Sequence, residues 1–269
     1  MTEDPVFNCL TLKKENGVNT ITLNRPEVYN SLNRELLEEL LTAFILCRED
    51  DCRVILLTGN GKGFCAGQDL KILDSDTPIL PSEIIEKLYN PLIYEMRNLA
   101  KPVLCKLNGF AVGAGCSLAL ACDMIIASEN AVLSEAFIGI GLVPDSGSSF
   151  FLPRLVGTLK AFELFALGSK ISAQEALSLG MVNYVVLEAE LDHFTERYIQ
   201  LLLAAPAVSL GLIKSMINQS VHSDLPTMLA LEARYQDMAA ETADFKEGVT
   251  AFLEKRKPTF NKANPTKNL

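Results

Sequence analysis

Asp145 is the residue whose surroundings in the sequence most directly suggest chemistry. Within the seven residues 139–145 it is the only charged side chain, it follows a proline, and the small residues SGSS come next. An aspartate before such residues suits a helix N-terminus, where capping would lower its pKa. The apolar run FIGIGLVP before it would instead surround a partly desolvated base with a raised pKa. The residues alone leave both interpretations open.

Two glycine-bearing loops could present backbone N–H groups to a ligand. GNGKGFCAGQDL (59–70) is no Walker loop, because neither Ser nor Thr follows Lys62, and Phe64 stands where a dinucleotide fingerprint requires glycine. NGFAVGAGCSLA (108–119) has small residues, 113–116, where a helix is expected to begin. Such residues let a ligand approach the N–H groups of a helix N-terminus, although tight helix packing explains them equally well.

The elements that must position these loops predict an α/β protein. FNCLTLKKENGVNTITLN predicts two strands joined at Asn16-Gly17, and SLNRELLEELLTAFILCRED predicts a helix capped by Ser31 or Asn33. RVILLTG, PVLCKLNG and DMIIAS are typical of buried strands, and AVGAGCSLALAC predicts a helix of small residues. This order of strand, loop, helix and strand implies right-handed crossovers around an α/β core.

The pattern also divides the chain into two regions. From about residue 192 it is mostly helical, so we predict a core over 1–204 and a helical, oligomer-forming region over 205–269. Residues 74–82, DSDTPILPS, are rich in turn residues and predict a mobile surface loop.

Charge and composition argue against several classes of function. The net charge of −9 opposes nucleic-acid binding, and the longest apolar run, 110–122, is too short to span a membrane. The start MTEDPVFN lacks signal-peptide features, and the seven cysteines contain no CxxC pair, so we expect buried thiols and a cytoplasmic location. His193 and His222 lie far apart, so we expect neither a metal site nor a Ser/His triad.

Five stretches together resemble the crotonase superfamily, the enoyl-CoA hydratase and isomerase group. In the family's order and spacing, over about residues 6–258, they are LNRPEVYNSLN, GFCAGQDL, NGFAVGAGCSLALACDMIIAS, GLVPDSGSS and ISAQEALSLGMVNYVV. The resemblance implies a ClpP-like spiral of ββα turns with a helical C-terminal region and self-association into trimers or hexamers. It also implies an acyl-CoA thioester substrate and no separate cofactor, since coenzyme A is part of the substrate.

The resemblance further implies an oxyanion hole made by the backbone N–H groups of Gln68 and Ala114. Such donors stabilise the charge that develops on a thioester oxygen, and one of them contributes about 3 kcal/mol. The position of Asp145 carries the acid in several family isomerases, so the resemblance favours the base over the cap. Glu135 is a rival second acid, for which we favour a structural role.

Departures from the family pattern indicate the reaction. The two hydratase glutamates correspond to Ser117 and Phe137, neither of which can activate water. One carboxylate with an oxyanion hole suits isomerisation through an enolate. YNPLI (89–93), GLIKSMIN (211–218) and the stretch 231–260 resemble the ring-1,2-epoxyphenylacetyl-CoA isomerases of phenylacetate degradation. A Δ3,Δ2-enoyl-CoA isomerase, a hydratase and a non-catalytic acyl-CoA-binding protein are the alternatives.

Residues that bind CoA and the acyl group are assigned by the same resemblance. They are Arg25, Val28, Ala66, Gln68, Asp69, Leu70, Lys71, Phe137 and Lys255. Lys71 is the best candidate for a cation at the CoA phosphates, and Arg25 would order the first loop. The basic run 255–257 would reach a neighbouring subunit's nucleotide, or it is simply a solvated helix end. The acyl pocket is expected between residues 72 and 95.

Overall fold

The strands form two sheets in the computed structural model, which describes residues 5–70 and 80–261. The larger sheet has the order β1-β2-β3-β5-β7-β10. Its first pair is antiparallel and all its other pairs are parallel. Its strands are β1 Leu10–Glu15, β2 Val18–Leu23, β3 Val54–Gly59, β5 Val103–Leu107, β7 Met124–Ser128 and β10 Tyr184–Val186.

The smaller sheet carries the loops of interest. It has the order β4-β6-β8-β9, and its strands are β4 Gly63–Cys65, β6 Phe110–Val112, β8 Val132–Ser134 and β9 Ile171–Ser172. Three successive strand pairs, β3-β4, β5-β6 and β7-β8, each give their first strand to the larger sheet and their second to the smaller one. Helical segments follow each pair, which makes a repeated ββα turn.

Eleven α-helices occur in the described residues, joined by shorter turns. They are α1 Arg34–Glu49, α2 Pro81–Ile84, α3 Asn90–Asn98, α4 Ala114–Leu120, α5 Ser148–Val156, α6 Thr158–Leu167, α7 Ala173–Ser178, α8 Leu191–Ala204, α9 Ala207–Ser220, α10 Leu225–Ala240 and α11 Ala243–Leu253. A π-helical turn, Ile85–Tyr89, joins α2 to α3, and a 3₁₀ turn, Ala136–Ile140, follows β8. These turns matter because both border the site described below.

The local predictions from sequence agree with these elements. Asn16 and Gly17 take positive φ values of 51° and 79° in the hairpin between β1 and β2. The side chain of Asn33 caps α1 by accepting a hydrogen bond from the Leu36 N–H at 2.9 Å. The seven cysteines are all buried and free, as predicted. The loop predicted at 74–82 lies largely outside the described residues, and α2 begins at Pro81.

The core lies on both faces of the larger sheet. One face packs against α1 through Leu36, Leu40 and Phe44, which are fully buried. The other face carries a smaller apolar cluster in which Leu191 and Ile199 of α8 take part. Burial of this kind contributes roughly 1.5–3 kcal/mol per large apolar side chain.

The helices after residue 204 extend this packing. Lys214 of α9 is buried and pairs with Asp123, its Nζ lying 2.7 Å from Oδ2. The division of the chain at 204/205 stays a prediction.

Among the described helices, none is by itself long and apolar enough to cross a membrane. One pair of consecutive segments, Glu188–Ala204 and Ala207–Ser220, reaches the length and apolar composition of a membrane span only when both are taken together. The chain bends by 104° between them.

Candidate active site

A cavity of about 640 Å³ lies where the glycine loops, the π-helical turn and the 3₁₀ turn meet. Its wall is mostly apolar, with Ile84, Ile85, Phe137 and Leu142 among the lining side chains. Six of the residues predicted for the site line it: Ala66, Gln68, Leu70, Ala114, Phe137 and Asp145. The structure therefore gathers the predicted oxyanion donors and the predicted base at one cavity.

Gly67 and Gly115 allow the two loops to come together. Gly67 has φ +86°, and a Cβ at this position would lie 2.5 Å from the carbonyl oxygen of Val112. A Cβ on Gly115 would lie 2.4 Å from the carbonyl oxygen of Cys65. Contacts this short exclude any side chain, so glycine is required where α4 begins beside the strand β4.

The N–H groups of Gln68 and Ala114 are placed at this junction. Gln68 follows Gly67, whose carbonyl accepts a hydrogen bond from the Leu32 N–H at 2.7 Å. Ala114 is the first residue of α4, so its N–H has no partner within the helix. Among the described residues, neither N–H donates to a backbone carbonyl outside regular elements. Both residues line the cavity.

Asp145 is held in the wall of the cavity by a strained turn. Ser146 and Gly147 have φ values of 55° and 82°, and Ser146 Oγ donates a hydrogen bond to Asp145 Oδ1 at 2.8 Å. Burial raises the pKa of Asp145 above its ordinary value, and the hydrogen bond from Ser146 offsets part of that rise. A carboxylate with enhanced proton affinity is suited to general base catalysis.

The alternative interpretation of Asp145, a helix cap, is wrong. Helix α5 begins at Ser148 with Gly147 as its N-cap residue, and no side chain caps it. The main-chain carbonyl of Asp145 accepts the Ser148 N–H at 3.0 Å, so the backbone makes the turn and the carboxylate is left to the cavity.

Ser117 and Phe137, which the resemblance matches to the two hydratase glutamates, differ in their position relative to the cavity. Ser117 is fully buried in α4, and its hydroxyl donates to the Gly113 carbonyl at 3.3 Å. Phe137 is on the cavity wall. Among the described residues that line the cavity, Asp145 is the only one with a carboxylate.

Tyr89 is a polar group of the cavity that sequence analysis did not assign. It is 3% exposed, and its hydroxyl donates to Gln68 Oε1. Burial, with a smaller contribution from Asp145, raises its pKa well above the ordinary value, so the phenol stays neutral. The available signal was its position in YNPLI, within the segment expected to form the acyl pocket.

Among the described residues, four of the predicted binding residues do not line the cavity: Arg25, Val28, Asp69 and Lys255. Arg25 donates to Asp69 Oδ2 at 3.1 Å and to the Ser31 carbonyl, so it links the chain at residue 31 to the chain at residue 69. Val28 lies in a separate 3₁₀ turn, Pro26–Val28, directly after Arg25. Lys255 is exposed beyond the end of α11. Lys71 lies outside the described residues.

One group of metal-type ligands occurs among the described residues, away from the cavity. Cys9, Glu35 and Glu39 bring their ligand atoms within 4.8 Å of one another. Glu39 accepts the backbone N–H groups of Asn8 and Cys9, at 2.7 and 2.9 Å, so its carboxylate is engaged in fixing the start of β1.

Comparisons with known proteins agree with this geometry. The family model for enoyl-CoA hydratase/isomerase matches residues 13–263. The 1,2-epoxyphenylacetyl-CoA isomerase of Escherichia coli (strain K12) is 43% identical over 251 residues, which cover 91% of this chain and 95% of that protein. The trans-2-decenoyl-(acyl-carrier-protein) isomerase of Streptococcus mutans is 37% identical over 259 residues, which cover 94% and 98%.

A solved structure shows the same fold. The enoyl-CoA hydratase from Bacillus anthracis matches with a TM-score of 0.89 and 33% identity, and the match covers 95% of this chain and 100% of that one. These findings confirm the predicted crotonase fold and superfamily. The chain belongs to the enoyl-CoA hydratase/isomerase family.

Proposed function

We propose that this protein is an acyl-CoA isomerase that works through a thioester enolate, with Asp145 as the base. The observation that carries the proposal is the lone carboxylate of Asp145 in an apolar cavity that also holds the N–H groups of Gln68 and Ala114. Hydration needs groups that activate water and deliver a proton, and Ser117 and Phe137 occupy those positions.

The proposed reaction uses one base twice. The thioester oxygen accepts hydrogen bonds from the two N–H groups, and Asp145 removes a proton from the carbon next to the carbonyl. The electron pair moves onto the oxygen as an enolate, which each donor stabilises by roughly 3 kcal/mol. Asp145, now neutral, returns the proton to a different carbon, so atoms and charge balance and no co-reactant is needed.

The acyl group is proposed to be either a ring-bearing epoxide or a 3-enoyl chain. The cavity wall is dominated by aliphatic and aromatic side chains, which suits both groups. The name of the E. coli relative, 1,2-epoxyphenylacetyl-CoA isomerase, supports the first. For an epoxide-bearing ring, the carbon–carbon bond shared by the two rings would break to give a seven-membered oxepin, and the proton that Asp145 takes from the carbon next to the carbonyl would return to a ring carbon.

Binding of the CoA portion and assembly follow from the family pattern. We propose that Lys71 meets the CoA phosphates, with Arg25 ordering the adjoining loop. We further propose that Lys255 contributes from a neighbouring subunit of a trimer or hexamer. The exposed apolar side chains of Phe245, Phe252 and Leu253 in α11 support burial at a subunit contact.

The test is a comparison of two thioesters with purified protein. A 3-enoyl-CoA is converted to its conjugated 2-enoyl isomer with a change in ultraviolet absorbance, whereas crotonyl-CoA is left unhydrated. Conversion of the first with little hydration of the second supports the proposal. Efficient formation of 3-hydroxyacyl-CoA makes the protein a hydratase. Tight binding of both thioesters without turnover makes it a non-catalytic binding protein.

A further inference from the structure

Glu135 is a buried carboxyl group that the proposed reaction does not use. It is 1% exposed, and both carboxyl oxygens are covered and without a hydrogen-bond partner among the described residues. A carboxylate in such a position costs several kcal/mol of desolvation, so an unpartnered one requires an explanation.

The surroundings of Glu135 connect the two halves of the site. Cys116 of α4 and Ser148 of α5 lie beside its carboxyl group, but neither forms a hydrogen bond of good geometry with it. Cys116 is two residues after Ala114 in α4. Ser148 is three residues after Asp145, and its own hydroxyl is buried and unpartnered. Glu135 therefore lies between the helix that begins at a proposed oxyanion donor and the helix that follows the proposed base.

The surroundings of Glu135 shift its carboxyl group towards the neutral form. Burial raises the pKa of Glu135 to about 7, and the negative charge of Asp145 adds to the rise. Ser148 and Cys116 act in the opposite direction but do not outweigh burial. Burial also raises the pKa of the Cys116 thiol well above its ordinary value, so this neighbour stays uncharged. Asp145 is thus the charged side chain that contributes to the raised pKa of Glu135.

Direct proton transfer between Glu135 and a substrate is excluded by position. The cavity is lined by Ala136 and Phe137, the next two residues, but not by Glu135, whose oxygens are covered. A general acid must come within hydrogen-bond reach of the reacting atoms. Glu135 can act only through the residues around it.

We propose that Glu135 is a positioning residue, whose buried and unpartnered carboxyl group fixes the spacing between α4 and the start of α5 and so holds Asp145 in place at the cavity. This inference rests on the proposed isomerase function. Ionisation of Glu135 would draw Ser148 and Cys116 towards the new charge and would favour the protonated form of Asp145. The first effect would displace the start of α5, three residues after Asp145, and so move the base away from its place at the cavity.

The test is the pH dependence of isomerisation in Glu135→Gln, which keeps the shape of the side chain and cannot ionise. Wild-type kcat/KM should decline as pH rises through about 7. The variant should stay within about twofold of its activity near pH 6 up to roughly pH 9. Glu129→Gln, which makes the same change at an exposed position, should follow the wild type.

A second variant changes a neighbour of Glu135 and leaves Glu135 itself in place. Ser148→Ala removes a neighbour that lowers the pKa of Glu135, so the alkaline decline should move to higher pH. Identical pH profiles for wild type and both variants would overturn the proposal. A loss of about 100-fold in Glu135→Gln at every pH would also overturn it, because that is the result expected for a proton donor.

An unfolding series separates this inference from the proposed function. The pKa of Glu135 is raised from 4.5 to about 7 in the folded state. The unfolded chain therefore loses this proton at lower pH, and stability falls as pH rises between these two values. Relative to Glu135→Gln, wild type should lose stability over that interval whether or not isomerisation is found. A constant difference would show that Glu135 ionises normally.

Discussion

Asp123 and Asp145 are both half-buried, but their surroundings differ. Asp123 accepts three interactions: Lys214 Nζ at 2.7 Å, Arg97 Nη1 at 3.0 Å and the Val103 N–H at 2.8 Å. Asp145 has a hydrogen bond from Ser146 and, among the described residues, takes part in no ion pair. Both carboxylates interrupt apolar packing, yet only the first is matched by cations.

This difference distinguishes a carboxylate with a structural role from one that can take part in proton transfer. The ion pairs of Asp123 with Arg97 and Lys214 join α3 and α9 to the start of β7, so this carboxylate has a structural role. Asp145 keeps an unmatched charge beside an apolar cavity and can gain or lose a proton there without breaking an ion pair. Four substitution experiments test whether this division is correct.

The largest expected effect is on activity, in Asp145→Asn. The amide cannot accept a proton, so isomerisation should fall by about 10²- to 10⁴-fold while CoA esters still bind. Steady-state assays with a 3-enoyl-CoA and a binding measurement check both parts. Activity within a few-fold of wild type would remove Asp145 from the mechanism.

The matching change in the other region is Asp123→Asn. It leaves Lys214 and Arg97 without a full countercharge, so the free energy of unfolding should fall by about 3 kcal/mol. The folded fraction should retain most of its isomerase activity. Urea unfolding measures the loss. A change below about 1 kcal/mol would mean that the ion pairs around Asp123 contribute little.

A third prediction concerns hydration. Ser117→Glu places one acid in α4, but the position of the second is still Phe137, so hydration of crotonyl-CoA should stay at the wild-type background. Product analysis by chromatography checks this result. Hydration rising by about 100-fold would show that one glutamate suffices and that the subclass is set by that single residue.

The smallest effect is on the pH dependence of stability. Burial raises the pKa of Asp145 in the folded state, so the unfolded chain releases this proton at lower pH. Wild-type stability relative to Asp145→Asn should therefore fall as pH rises between the unfolded and folded pKa values, and then stay level. Unfolding curves collected across that interval measure it. A wild type that gains on the variant with rising pH would reverse the sign and contradict the raised pKa.

Local sequence patterns predicted the frame of this structure well. The hairpin at Asn16-Gly17, the cap at Asn33 and the buried strands depend on residue types a few positions apart, and they form as expected. Family motifs predicted which loops meet at the cavity. These features are encoded locally or recur in related proteins, so the sequence was sufficient to predict them.

Tertiary packing decided the features that sequence did not predict. Aspartate is a good cap by type, but the left-handed turn at Ser146 and Gly147 moves the start of α5 to Ser148. The contact between Tyr89 and Gln68 joins segments 21 residues apart. No local pattern specifies any of these arrangements.

Exchange of substrate hydrogens with solvent tests the central claim most directly, because it requires only the base and the oxyanion donors. Wild-type protein and Asp145→Asn would be incubated with butyryl-CoA in D₂O, and deuterium next to the carbonyl would be measured by mass spectrometry. Wild type should incorporate deuterium, and the variant should remain at the uncatalysed rate. Equal incorporation by both proteins would contradict the assignment of Asp145 as the base.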